Sequence, residues 1–382
     1  MDLFSESRKV AEAFPPGDFI KEELEARGWS QTDLAEIIGR NTGTVSQIIS
    51  GKQPINPRIA HALGAAFGTD AQSWMNLQSA YQLWREELEE DSEAVRRRAM
   101  IYSKAPLKEM IKRHWIEASE SIDVIEQRVC QFLEIASLNE EAQCSFAARQ
   151  TNSYAERPSS PVMAWMKRAK HLAEIIPAAK FSKAALEKIL PSLRKLMVSE
   201  DGVKDVPRLL ASVGIRIVAV ERLPTMKLDG ATFWLNEYSP VIALSLRYDR
   251  LDSFWHTLLH EIDHIRNGEG KDTACLDDFD LPINERPPHE VRCDEFASNF
   301  SIDKASLDKF IARVRPYFTG DKATGFALRM NVHPAIAAGQ IRNRLENYSV
   351  LSSSVAAKIR GIIFDTILCD GWGHEPGLQG RN

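Results

Sequence analysis

The chain has 382 residues, 44% of them hydrophobic, which is enough for two or three domains with ordinary buried cores. A formal net charge of −5 excludes a uniformly basic nucleic-acid binder, so any contact with a polyanion must come from a local patch. Five scattered cysteines (Cys130, Cys144, Cys275, Cys293 and Cys369) with no C-x-x-C pair fit a reducing compartment better than a disulfide framework. With no signal-peptide pattern in Met1–Glu6 and no run of ~18 apolar residues, they point to a cytoplasmic chain with no membrane partner.

From Gly17 the apolar spacing predicts short helices with clear punctuation, the first carrying Phe19, Ile20 and Leu24 and ending near Gly28. Ser30-Gln31-Thr32-Asp33 reads as a capping box for a helix with Leu34, Ile37 and Ile38, closed by Gly39. Asn41 then caps a helix that turns Val45, Ile48 and Ile49 inward and ends at Gly51. Two short helices are thus joined by a tight turn of helix-turn-helix length. Asn56-Pro57 opens a further helix through Leu63 and Phe67, and Asp70 caps the next.

The stretch Gly39–Lys52 resembles the recognition half of the XRE (Cro/repressor-like) helix-turn-helix family. The flanks Pro16-Gly17, Arg27–Gln31 and Thr69–Leu83 are similar to its HigA antitoxin branch, over roughly residues 14 to 84. This resemblance implies a double-stranded DNA operator as partner, bound by a homodimer on two half-sites. It places Thr42, Gly43, Thr44, Ser46 and Gln47 toward base edges, and Gln31, Arg40 and Lys52 on phosphates. Gly43 stands where the family usually has a long polar side chain, which shifts readout there toward DNA shape. Charge gives no help: residues 15–80 hold five basic side chains against seven acidic ones, and a helical bundle used for protein contacts is the alternative.

Residues 85–159 are expected to form a helical connector, with Arg96-Arg97-Arg98 either a solvated helix face or a nucleic-acid contact. Between 104 and 213 nearly everything reads as helix. Pro106 and Pro161 mark helix starts, Pro191 kinks or divides a helix, and Trp115, Phe132, Trp165, Leu186 and Leu193 belong to the core; residues 148–160 read as loop. At Gly214 the pattern changes to three short strands, Ile215–Val220, Asp229–Leu235 and Val241–Ser245, the last two forming a hairpin. A sheet edge beside the next helix would give an extended peptide somewhere to pair.

That next helix carries His260-Glu261-Ile262-Asp263-His264. Histidines four apart share one helix face, so both rings can reach one Zn²⁺ and leave room for a third ligand and a water. Glu261 between them is the candidate general base toward that water. Further on, Glu290 and Asp294 are also four apart, so Glu290 can complete the zinc ligands while Asp294 orients a ligand histidine.

Together with Leu244–Tyr248, Glu290-x-x-Cys293-Asp294-x-Phe296-Ala297, His333–Ile336 and Gly339–Ile341, these residues look like the ImmA/IrrE family of zinc metallopeptidases over about residues 160 to 345. Carried over by position, the resemblance implies His260, His264 and Glu290 as metal ligands and Glu261 as base. Asp263 departs from it, being acidic where the family has a small uncharged residue. It could steer hydrogen bonds, raise metal affinity or disturb the helix packing. No residue announces itself as the oxyanion stabiliser, although His256, His289, Tyr317 and His333 are available, and His256 reads more simply as structural.

The expected architecture is a multidomain α+β chain. An all-α helix-turn-helix domain occupies 1–84, a helical connector 85–159, a gluzincin-like α+β metallopeptidase domain with a small sheet 160–350, and a poorly ordered tail 351–382. The expected function is a DNA-binding regulator of HigA-antitoxin type. Its zinc-dependent peptidase domain would cleave or sense a toxin or repressor protein; the alternative is a protein-binding antitoxin with an inactive peptidase-like domain.

Overall fold

The computed structural model describes residues 13–87, 91–140, 149–150, 158–271, 274–277 and 286–373. It divides into two compact units, Met1–Arg98 and Ala99–Asn382.

The first unit is all helix: α1 (Pro16–Arg27), α2 (Gln31–Ile37), α3 (Thr42–Ile49), α4 (Pro57–Phe67), α5 (Ala71–Glu87) and most of α6 (Asp91–Lys104). Its boundaries follow the cap chemistry. The Ser30 hydroxyl accepts from the Asp33 amide while the Asp33 carboxylate accepts from the Ser30 amide, and Asn41 and Asn56 cap α3 and α4 with their side-chain oxygens. The apolar stripes of α1 to α5 meet in one core of Ile20, Leu34, Val45, Ile48, Ile59, Leu63, Phe67 and Trp74. A Cβ on Gly17 would lie 2.0 Å from the Ile49 carbonyl oxygen, so only glycine lets α1 approach α3 this closely.

The second unit is α+β. Its helices are α7 (Leu107–Lys112), α8 (Ile122–Leu133), α9 (Ser160–Glu174), α10 (Lys183–Leu196), α11 (Val206–Ser212), α12 (Leu251–Arg266), α13 (Pro288–Ser301), α14 (Lys304–Val314), α15 (Gly320–Met330), α16 (Pro334–Arg344) and α17 (Arg360–Ile363). Its strands are β1 (Arg149–Gln150), β2 (Arg216–Val220), β3 (Gly230–Trp234), β4 (Pro240–Leu244), β5 (Cys275–Asp277) and β6 (Leu368–Asp370). They form one mixed sheet of order β1-β5-β3-β4-β2-β6 in which β3 and β4 make the expected hairpin and β2 runs parallel to β4 and β6.

The three central strands alternate between two cores. Ile217, Ala219, Trp234, Ile242 and Leu244 pack against α12 and its neighbours, whereas Val218, Val220, Phe233, Val241 and Ala243 pack against α7, α8 and α9. That second core changes the expected domain limits. Ile101, Leu107, Met110, Trp115, Val129 and Phe132 share it with the sheet, so residues from Ala99 onward are one layer of the second unit and not a connector. The tail differs too, since Leu368–Asp370 adds a strand to β2 and Ile359, Ile363 and Ile367 are buried; His374–Asn382 lie outside the described residues.

Arg149 and Gln150 pair with β5 where a loop was expected, and residues 148 and 151–157 lie outside the described residues. Pro191 sits inside α10, which runs on through it. Cys130, Cys293 and Cys369 are buried free thiols and Cys275 is half-buried, while Cys144 lies outside the described residues. Among the described residues no helix is long and apolar enough to cross a membrane.

Candidate functional site

The turn between α2 and α3 leaves one helix face uncovered. Thr42, Gly43, Ser46 and Gln47 of α3 are exposed, and Gln31, Arg40 and Lys52 are exposed around them. Thr44 is half-buried and engaged in the cap: its hydroxyl donates to Asn41 Oδ1 at 2.9 Å, beside its own amide at 2.7 Å. Gly43 keeps the same cap open, since a Cβ there would meet Asn41 Oδ1 at 3.3 Å. The flanking residues hold the frame. Arg27 lies over the Trp29 and Phe67 rings and donates to the Phe67 carbonyl, Trp74 donates to Thr69, and Gln78 accepts from the buried Ile55 amide.

In the second unit, α12 is buried along almost its whole length between the sheet, α13 and α16. Gly339 lets α16 lie against it, because a Cβ there would meet Asp252 Oδ2 at 2.3 Å. Helical spacing brings His260 Nε2 and His264 Nε2 to 3.1 Å from each other. Glu290 Oε2, from the first turn of α13, lies 2.9 Å from His260 Nε2 and 3.6 Å from His264 Nε2. These are close to the ~3.3 Å that separates neighbouring ligands of a tetrahedral ion bound at ~2.0–2.1 Å.

The other ring nitrogens are held from behind: Asp294 Oδ1 is 2.9 Å from His260 Nδ1, and Glu269 Oε2 is 2.7 Å from His264 Nδ1. Each Nδ1–H thus has a carboxylate to donate to. The two Nε2 lone pairs then face one another and a carboxylate oxygen, an arrangement that a shared cation relieves. Burial opposes ionisation of Asp294, but hydrogen bonds from His256 and His260 outweigh it and hold its carboxyl well below the usual range. Arg286 also donates to Asp294.

Cys293 offers a second donor set, with His260, His264 and its own sulfur mutually within 4.8 Å. Its Sγ, however, lies 3.5 Å from His264 Nδ1, the nitrogen that Glu269 already occupies, and burial pushes the thiol pKa up, which disfavours the thiolate. The Nε2 face with Glu290 is the better-formed site. Glu261 is fully buried, and Thr232 on β3 donates to its Oε2 at 2.7 Å. Gly230, two residues earlier, makes room for it: a Cβ there would lie 2.1 Å from Glu261 Oε1.

A family model for helix-turn-helix proteins matches residues 20–74, within the first unit. The uncharacterised HTH-type transcriptional regulator YddM of Escherichia coli is 33% identical over 89 residues, which are 23% of this chain and 95% of that protein. The chain belongs to the helix-turn-helix family. The antitoxin HigA-1 of Vibrio cholerae is 39% identical over 69 residues, 18% of this chain and 65% of the antitoxin. Among solved structures, the Pseudomonas aeruginosa antitoxin HigA with the higBA promoter is 36% identical, over 19% of this chain and 79% of that one, at a TM-score of 0.18.

This helix-turn-helix protein brings His260, His264, Glu290 and Asp294 together, while Glu261, on the same helix as the histidines, accepts from Thr232 of β3. Asp263 faces away from the Nε2 atoms and into two guanidiniums, Arg266 at 2.8 Å and Arg292 at 2.9 Å. Of the four residues considered for an oxyanion, His256 and His289 lie at the cluster, 3.4 Å from Asp294 Oδ1 and 3.1 Å from Glu290 Oε1. His333 caps α16 and Tyr317 is 75% exposed. Arg96 and Arg98 are exposed and Arg97 half-buried.

Five residues at the cluster escaped sequence reasoning: Glu269, Arg292, Thr232, Arg266 and Arg286. Arg292 donates to Glu269 at 3.0 and 2.7 Å as well as to Asp263. The signal for Glu269 was its setting in Gly268-Glu269-Gly270, whose two glycines have φ of 72° and 83° and fold the turn back under His264.

Proposed function

We propose that this chain is a DNA-binding transcriptional regulator of HigA-antitoxin type whose second unit is a zinc-dependent peptidase of the ImmA/IrrE kind. The DNA-binding part draws on its likeness to HTH-type regulators and to an antitoxin whose solved structure includes its promoter, and on the exposed polar face of α3. In this reading the operator is double-stranded DNA bound by a homodimer, Ser46 and Gln47 reach base edges, and Gln31, Arg40 and Lys52 hold phosphates.

The observation that carries the peptidase part is the triangle of His260 Nε2, His264 Nε2 and Glu290 Oε2, with both Nδ1 atoms held by carboxylates. Arginines hold the surrounding carboxylates: Arg266 donates to Asp263 and Glu187, Arg292 to Asp263 and Glu269, and Arg286 to Asp294.

His260, His264 and Glu290 would hold the zinc ion, which when bound supplies Lewis-acid polarisation of a peptide carbonyl and acidifies a water. Glu261 would take that water's proton on its carboxylate and pass it to the leaving amine, with Thr232 fixing the carboxylate's orientation. His256 and His289, which lie against Asp294 and Glu290, would be the imidazoles to stabilise developing negative charge.

Metal analysis of the wild type beside His260→Ala and Glu290→Ala tests the site: one zinc per chain, lost in both variants, is expected, and retention of the metal in both would dismantle the reading. Cleavage of a partner protein that stops in Glu261→Gln with zinc still bound tests the base. For the first unit, salt-dependent binding to the chain's own promoter is expected to weaken in Gln47→Ala, and equal affinity for random DNA would contradict it.

A further inference from the structure

A peptidase must hold an extended stretch of substrate next to its base, and strands bordering the site usually provide the backbone partners. Here the bordering strand is β3, since Gly230 and Thr232 both abut Glu261. One side of β3 is paired with β4. The other is taken by the chain itself, through antiparallel pairing with β5 in the register Gly230↔Asp277, Ala231↔Leu276 and Thr232↔Cys275. The far edge of the sheet, at β6, is separated from β3 by β4 and β2 and does not border the site.

We propose that residues 274–277 are a built-in occupant of a peptide-binding edge on β3, keeping the second unit latent until a substrate segment displaces them. This rests on the peptidase reading above. The segment comes from between α12 and α13, the helices that carry the ligand residues, so it belongs to the site's own connection. Residues directly opposite in an antiparallel pair share a sheet face, which puts Cys275 on the Thr232 face, toward the base.

Leu276 alternates to the other face and anchors the segment in the core with Ala231 and Phe233, at 3% exposure, beside fully buried Ala274. The segment is held by three residue pairs with β3, two with the two-residue strand β1 and the burial of Ala274 and Leu276, a short set of contacts that leaves with β1 when it is displaced. Because it is tethered, its high effective concentration disfavours a free peptide of similar affinity. The substrate class follows from the register: an extended peptide with an apolar residue at the position of Leu276 and small or polar neighbours on either side.

The test uses the full zinc-loaded chain, Leu276→Ala as the mild variant, and a second variant in which residues 274–277 are replaced by alternating glycine and serine. The probe is a labelled synthetic peptide, Gly-Ala-Ser-Leu-Asp-Gly, which copies the segment with serine for cysteine; its binding is read by fluorescence anisotropy. Hydrogen exchange at the amides of 230–232 reports whether β5 has been released.

We expect about tenfold or tighter binding to both variants than to the wild type, weak binding of a control peptide with serine in place of leucine, and a matching rise in peptide cleavage. Equal binding to wild type and variants, with exchange at 230–232 accelerated, overturns the proposal. Peptide binding that tightens without zinc uptake or Glu261-dependent cleavage sustains the edge and refutes the peptidase. Zinc and cleavage without any peptide gain do the reverse.

Discussion

Removing the Glu269 carboxylate, by Glu269→Ala, is the sharpest perturbation of the histidine cluster. Glu269 Oε2 lies 2.7 Å from Nδ1 of His264, a residue with no exposed surface, so the variant leaves a buried N–H without its acceptor. The ring is then free to change tautomer or rotate, and Nε2 no longer reliably presents a lone pair toward His260 and Glu290. Loss of such a partner costs about 10- to 100-fold in metal affinity, or about 1.4–2.7 kcal/mol.

The Glu269 side chain is 27% exposed, so water can enter and partly replace it, which places the expected loss near tenfold. Asp294→Ala should cost more, toward a hundredfold, because Asp294 is 15% exposed and holds His256 and Arg286 as well as His260. Zinc competition against a chromophoric chelator at fixed pH, with circular dichroism as the check on folding, measures both. Unchanged affinity in Glu269→Ala, or a larger loss there than in Asp294→Ala, would refute the reasoning.

Three further outcomes follow from the same geometry. Asp263, 4% exposed between two arginines, should cost the second unit about 2–4 kcal/mol when replaced by alanine, as read by urea unfolding; a variant within about 0.5 kcal/mol of wild type would show that the ion pairs contribute nothing. Gly17→Ala should destabilise the first unit by about 1–3 kcal/mol or more, because the new Cβ would lie 2.0 Å from the Ile49 carbonyl; an unchanged melting temperature would mean that α1 can slide without loss. Burial opposes ionisation of Glu134, but hydrogen bonds from Lys167 and Lys170 win and lower its pKa from 4.5 to about 2. Its stabilisation is therefore present above pH 4.5 and lost as pH falls toward 2. Because Glu134 is 36% exposed, solvent screening limits its contribution to about 1 kcal/mol, and Glu134→Gln should flatten the acid limb of the stability curve by that amount.

What could be read from the sequence divides along physical lines. Local chemistry was legible: the capping box at Ser30, the asparagine caps, the glycine helix ends, the hairpin and the four-residue spacings of His260/His264 and Glu290/Asp294 all act over a few residues. Long-range cover was not. Nothing in residues 99–138 announces that Ile101, Trp115 and Phe132 will meet Val218 and Phe233, although the continuous burial of β3 and β4 requires cover on both sheet faces. The short strands β1, β5 and β6 carry too few residues for a period of two to register, and each depends on a partner far away in the chain.

Asp263 shows how a residue that reads as a departure can be part of a set. Taken alone, an acid beside a histidine in a buried helix is a cost, because its charge must be matched. Asp263 Oδ2 instead accepts from Arg292 Nε at 2.9 Å, and the same guanidinium reaches both oxygens of Glu269, which holds His264 Nδ1. Arg292 sits between two carboxylates, one on α12 and one in the turn that follows it, and it comes from α13, the helix of Glu290. The acid at 263 therefore fixes the arginine, the arginine fixes Glu269, and Glu269 fixes the ring. If that order of dependence holds, Asp263→Asn should weaken zinc binding less than Glu269→Ala, and the double variant should weaken it by less than the sum of the two, since both changes act on His264 through one guanidinium.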